Sequence, residues 1–434
     1  MEYSTDDSMS REFCGAFPAT KESGAEQKTS EQWLEIANTY YERGSYAEAL
    51  TAFVRFIQYG TATSVVYIRM GDTLFQLEYY TEALVAYEQA MQLDAANAYP
   101  VNCRGNVLYR LGRYEQACLC FQQAIRLDPQ QGIFHYNRGL ALAGLEQYEE
   151  ALTAFQIAIR LDPQDADAYN GAGNCLYRLH RYELALIAYE EATSLDFKQA
   201  TFHYNRGKVL VLLDRYEEAL AAFEQVIQLQ PADTLARMCR AEVLYSIQCY
   251  EEAIAAYQEA LRFDPGNAEI YQKLGFTLHR FNRPLEAVAA YERAIQLDPL
   301  FTSAYVNMGN VFYDLENYYE ALVAYKQALQ LDPFNAEAYC GKGNILREIA
   351  CEREAYDAYT RAVQIDPLCA PARFWREQMQ LRLKIPDRGR RAVVPKQRVT
   401  RRRPPSLVPV HTPRRIRFFP ALFSFESRAH RAFE

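Results

Sequence analysis

The residues of this chain best suited to chemistry are asparagines and tyrosines that recur in phase. Asn38, Asn106, Asn174, Asn310 and Asn344 are separated by multiples of 34 positions. Three positions further on, in the same phase, stand Tyr41, Phe75, Tyr109, Tyr177, Tyr245 and Tyr313. Asn102 and Asn170 share a third phase, and Asn137, Asn205 and Asn307 a fourth. An asparagine amide carries two donors and an acceptor, so it can pair with both polar groups of an extended peptide backbone. Tyrosine adds a large amphipathic surface at low entropic cost. Rows of both suit peptide recognition with modest dependence on the peptide's side chains. The alternative is that these groups are solvated or satisfy neighbouring loops.

Catalytic chemistry finds no comparable support. The six histidines, His135, His180, His203, His279, His411 and His430, form no metal-binding pair. His135 and His203 both fall within HYNRG, 68 positions apart, which marks a repeated architecture. There is no phosphate-binding glycine loop and no nucleophile elbow. The ten cysteines are scattered singly without a C-x-x-C, and even Cys118 and Cys120 face different directions on a helix. They read as reduced packing thiols. No enzyme, cofactor, metal or small-molecule substrate is expected.

The elements that position the rows follow from the same period. Alanine recurs ten times at intervals of 34, from Ala49 and Ala83 to Ala321 and Ala355. Such a period means stacked units, each burying its apolar face against its neighbours. Counting from Ser30, position eight is Gly or Ala throughout, position twenty-four Phe or Tyr, and position thirty-two Pro in seven of ten units. In unit three, apolar residues fall at helical spacing on both sides of Leu111-Gly112-Arg113. Gly112 suits the left-handed residue that ends a helix, and Pro129 stops the second one. Each unit is therefore an antiparallel helical hairpin. Small residues at positions eight and twenty let its helices approach, and rings at seventeen and twenty-four fill the space between units.

This pattern resembles the tetratricopeptide repeat (TPR), a 34-residue helix–turn–helix. The resemblance covers residues 30–369 in ten repeats and implies an all-α, right-handed superhelical solenoid. Departures are local: Asp94-Ala95 and Asp196-Phe197 replace Asp-Pro, Pro284 replaces a tyrosine, and Glu352 in the tenth repeat predicts looser packing there. In TPR arrays the first helices line a concave groove, mainly through positions two, five, nine, twelve and thirteen. Carried over, those slots and the adjacent position six make the candidate peptide-binding residues Asn102, Asn106, Tyr109, Asn137, Asn170, Asn174, Tyr177, Asn205, Tyr245, Asn307, Asn310, Tyr313 and Asn344. The implied function is a non-catalytic scaffold or adaptor whose partners are other proteins or peptides. The family's clamp for chaperone tails needs basic residues at positions two, five and six. Here position two includes Glu31, Asp167, Glu269 and Glu337, and Lys273 is isolated, so that clamp is not matched.

The flanks differ from the array. Residues 1–29 are polar and aperiodic, which predicts disorder, and their early acids without an apolar core predict a cytoplasmic protein. Residues 370–386 fit a C-terminal capping helix, with Trp375, Met379 and Leu383 on one face and Pro386 at its end. Residues 387–434 form a basic Pro/Arg/Phe-rich tail expected to be disordered. Thirteen Lys or Arg against three acids give it about +10, so the −8 of the whole chain leaves about −18 on residues 1–386. Arg401, Arg402, Arg403, Arg414, Arg415 and Arg417 could neutralise phosphates of nucleic acid or an anionic membrane. The tail could equally fold back on the acidic array or act as a solubilising extension.

Overall fold

The computed structural model describes residues 29–384. Segments 1–28 and 385–434, which hold the expected disordered ends, the tail arginines and Pro386, lie outside the described residues. By compactness the chain divides into Met1–Met379 and Gln380–Glu434. Of the second part only residues 380–384 are described, and they finish the last helix and its closing turn.

Helices are the only regular structure among the described residues. Ten first helices of thirteen residues, from Ser30–Glu42 to Ala336–Glu348, alternate with ten second helices of fourteen, from Tyr46–Tyr59 to Glu352–Ile365. Each helix packs on its partner in the hairpin and on the hairpin that follows, so the first part is an all-α solenoid.

The hairpin turn has one geometry throughout. In repeat three Gly112 N–H donates to the carbonyl of Tyr109, and Arg113 N–H to that of Leu108. This is the Schellman arrangement, which satisfies the last carbonyls of the first helix. It requires a left-handed residue at position fifteen. Gly44 and Gly112 fill that slot at no cost, yet Glu78, Glu146, His180, Asp214, Gln248, Asn282, Glu316 and Ala350 adopt it as well.

An aspartate at position thirty-one shapes most of the turns between repeats. Its carboxylate accepts the backbone N–H two residues on, as in Gln164 to Asp162 at 3.0 Å and Phe334 to Asp332 at 2.9 Å. Asp196-Phe197, which lacks the proline, forms the same contact through Lys198 N–H at 3.0 Å. Neither residue is required: repeat five makes the turn without the proline, and repeat six makes it at Gln230-Pro231 without the aspartate.

Packing explains the invariant small residues. All ten alanines at position twenty are fully buried. The position-eight glycine lies beneath the position-twenty-four ring of its own hairpin: a Cβ on Gly105 would stand 2.5 Å from Phe121, and one on Gly173 2.7 Å from Tyr189. Gly171 and Gly341, at position six, receive the ring of the preceding repeat, Phe155 and Tyr325. That ring is thus a wedge between repeats.

The last helix, Ala370–Arg382, keeps the frame of a first helix. Its buried Ala372 and Met379 occupy positions three and ten of an eleventh repeat. Position eight there is Glu377, where a second helix needs glycine or alanine. Arg347 covers this end from the tenth repeat, its guanidinium 3.8 Å from the centre of the Trp375 ring.

Candidate functional site

The first helices carry a ladder of side-chain hydrogen bonds from repeat to repeat. Asn137 at position six donates to Asn102 at position five of the preceding repeat, 2.9 Å away. Asn205 repeats this with Asn170 at 2.9 Å and reaches Asn174 at 3.4 Å. Arg69 donates to Asn38 at 2.6 Å, linking position six to position nine of the preceding repeat. Asn310 donates to Glu337, which brings position two of the next repeat onto the same face at 3.1 Å. Positions two, five, six and nine therefore border one another along the array.

In four hairpins the position-nine side chain meets the position-twenty-four ring through a hydrogen bond. Tyr189, Tyr325 and Tyr359 donate their hydroxyls to Asn174, Asn310 and Asn344 at 2.7, 2.6 and 2.8 Å. Tyr87 does the same to Asp72 at 2.6 Å. Each hydroxyl takes the amide oxygen and so directs the NH₂ group away from the core. In repeat three the position-twenty-four ring is Phe121, which has no hydroxyl to offer Asn106. Repeat eight breaks the pairing: position nine is Phe276, and the buried Tyr291 hydroxyl has no partner among the described residues. Burial pushes the tyrosine hydroxyls of this layer well up, so they serve as donors.

The aromatic row has an internal partner too. Tyr109, Tyr177, Tyr245 and Tyr313 pack on Tyr114, Tyr182, Tyr250 and Tyr318 across the hairpin turn, at ring separations of 5.4, 5.8, 5.5 and 6.0 Å. The four remain partly accessible. Asn102 and Asn137 are buried in their mutual contact. Asn106, Asn170, Asn205, Asn307, Asn310 and Asn344 are partly accessible, and Asn174 is exposed. Both histidines of HYNRG turn inward, His135 Nε2 to the Pro129 carbonyl and His203 Nε2 to that of Phe197.

Sequence reasoning missed the charged node of repeats seven and eight. Lys273, which shares position six with the basic Arg69, is held by Glu242 and by Glu269 at 3.3 Å. Burial pushes the Glu242 carboxyl up although Lys273 opposes it. The available signal was the same one-repeat offset that links Arg69 to Asn38, because Glu242 and Lys273 are 31 positions apart. Lys208 lies over the rings of Tyr177 and Tyr204, at 5.1 and 5.7 Å from their centres.

Among the described residues no cluster of ligating side chains could hold a metal ion, and no helix is long and apolar enough to cross a membrane. Models of the tetratricopeptide repeat match residues 104–165, 142–196, 200–233 and 268–299. A model described as TPR repeat matches 71–112, 241–280 and 309–348, and together the matches span more than half of the chain. Comparison with curated proteins gives no match. Among solved structures the chain is similar to YrrB, described as a TPR protein with an unusual peptide-binding site. The identity is 27% over 42% of this chain and 95% of that one, with a TM-score of 0.39. It is also similar to yeast Tom70, at 13% identity over 82% and 96% with a TM-score of 0.40. The C-terminal part of a TPR repeat-containing protein from Cytophaga hutchinsonii gives 20% identity over 56% and 99%, with a TM-score of 0.48.

Proposed function

Because the chain belongs to the tetratricopeptide repeat family, a family of protein-interaction scaffolds, we propose that its row of first helices binds extended peptide segments. The observation that carries this reading is the fixed orientation of the position-nine amides. Asn174, Asn310 and Asn344 each give their oxygen to a buried tyrosine hydroxyl. The NH₂ donors of Asn174 and Asn344, and the second N–H of Asn310 beside its bond to Glu337, are thereby set in advance for a ligand's carbonyls, and little side-chain freedom is lost on binding. The tyrosines at position twelve add contact area along the same helices. Catalysis has no part in this function.

The test uses a displayed library of short peptides panned against the full chain. Recovered peptides should bind the variant carrying Asn106→Ala, Asn174→Ala and Asn310→Ala at least about tenfold more weakly, since each lost hydrogen bond is worth about 1 kcal/mol. Helicity by circular dichroism should be retained. Unchanged affinity in that variant rejects the groove.

A further inference from the structure

Resting on that groove reading, the geometry points to a preferred ligand: an extended segment with three apolar side chains, spaced three residues apart, between two basic ones. The row that would select it is position two of repeats one to five, Glu31, Val65, Tyr99, Ile133 and Asp167. Val65, Tyr99 and Ile133 expose 59%, 48% and 49% of their surface. Three consecutive equivalent positions thus keep large apolar side chains in water. Packing between repeats does not require this, because the same slot holds Thr201, Glu269 and Ser303 elsewhere.

The spacing sets the ligand's period. Neighbouring first helices touch through their side chains, as the Asn137–Asn102 bond shows. Packed helices lie about 8–10 Å apart. An extended chain advances about 3.3 Å per residue, so about three residues pass each repeat. The Asn310–Glu337 bond shows that position two of one repeat borders position nine of the repeat before it. Beside this strip that slot holds Asn38, Asp72, Asn106 and Leu140, so a backbone held by the amides of Asn38 and Asn106 brings its side chains onto the strip.

Charge sets the ends. Glu31 and Asp167 close the apolar strip, and among the described residues no cation pairs with either. By contrast Glu269 is held by Lys273, and Glu337 by Asn310. Asp167 faces the carboxylates of Asp165 and Asp196 as well as partial burial, which together push its own carboxyl up, and an arriving cation would relieve that repulsion. At the other end Glu31, Glu35 and Glu42 line one cavity of about 410 Å³ with Leu34 and Asn38. A ligand with lysine or arginine about three residues outside its apolar triplet meets both ends.

Fluorescence anisotropy on the full chain tests this with a labelled serine-based peptide bearing terminal lysines and leucine at every third position. It should bind. Moving the three leucines to every second position, at equal composition and length, should weaken binding about tenfold, because at least one leucine then loses its contact. Tyr99→Asp should weaken binding by a similar factor, and a double variant of Glu31→Lys and Asp167→Lys should reverse the preference from lysine-ended to glutamate-ended peptides. Failure of the every-third peptide to bind overturns the inference, as does equal affinity for the two spacings or indifference to Tyr99→Asp. If the Asn106, Asn174 and Asn310 variant still loses library peptides in those cases, the groove stands and only the preferred pattern falls. If it does not, both readings fall.

Discussion

At position nine and position twenty-four a single side-chain pair decides whether a repeat is satisfied. Where the ring is tyrosine, an oxygen acceptor normally faces it: Asp72 for Tyr87, Asn174 for Tyr189, Asn310 for Tyr325 and Asn344 for Tyr359. Phe276 cannot accept, and the buried Tyr291 hydroxyl is left without a partner among the described residues. An unmet buried hydroxyl costs about 1–3 kcal/mol, so deleting it should not destabilise. Tyr291→Phe should keep or raise stability by about 1 kcal/mol, whereas Tyr325→Phe, which breaks a made bond, should lower it by about the same amount. Urea denaturation followed by circular dichroism compares the two. An equal loss in both variants would mean that Tyr291 has a partner after all. The asparagine rows were legible in the sequence because they share the 34-residue period. Their internal partners were not, because a tyrosine 15 positions downstream looks like a core aromatic until the hairpin folds it back. The burial of Asn102 and Asn137 escaped for the same reason: position six of one repeat meets position five of the previous one only in the stack.

At the scale of the hairpin, the helical spacing on either side of each turn was the most legible feature of the sequence. Small residues at fixed positions and the Asp-Pro pairs name both turns. What the sequence concealed was how uniform the Schellman turn is. Glycine marks it in two repeats only, and in eight others packing of the two helices forces a side-chain-bearing residue into the left-handed region, with φ near +60°. For such residues that conformation costs about 1–2 kcal/mol. Glu316→Gly or Ala350→Gly should therefore raise stability by about 0.5–1 kcal/mol, after allowing for glycine's greater freedom in the unfolded chain. Gly112→Ala should lower it by a similar amount. The midpoint of thermal unfolding measures all three, and a fall in both glycine variants would show that their native side chains contribute contacts larger than the strain. The last helix teaches a related lesson. Read alone it is an amphipathic cap; read in frame its Ala372 and Met379 take positions three and ten of a first helix, with Glu377 where the earlier repeats carry glycine or alanine.

On the scale of the molecule, charge separates two readings that the fold alone does not distinguish, peptide binding by the repeats and an anionic tether through the tail. Residues 1–386 sum to about −18 and the final 48 residues to about +10. A polyanion such as RNA or an anionic vesicle is repelled by the first and attracted by the second, and exposed charges act only over a Debye length of about 8 Å at physiological salt. A tether through the tail predicts binding to such a surface that falls steeply with salt and vanishes when residues 387–434 are deleted. The peptide binding proposed for the first helices would rest instead on fixed amides and apolar contacts, so it should survive both the deletion and moderate salt. Measuring the two affinities side by side, in full-length and truncated protein across a salt series, separates them. Loss of the peptide on truncation would tie the groove to the tail. Persistence of RNA or vesicle binding without the tail would place that affinity in the repeats, against their net charge, and would end the tether reading.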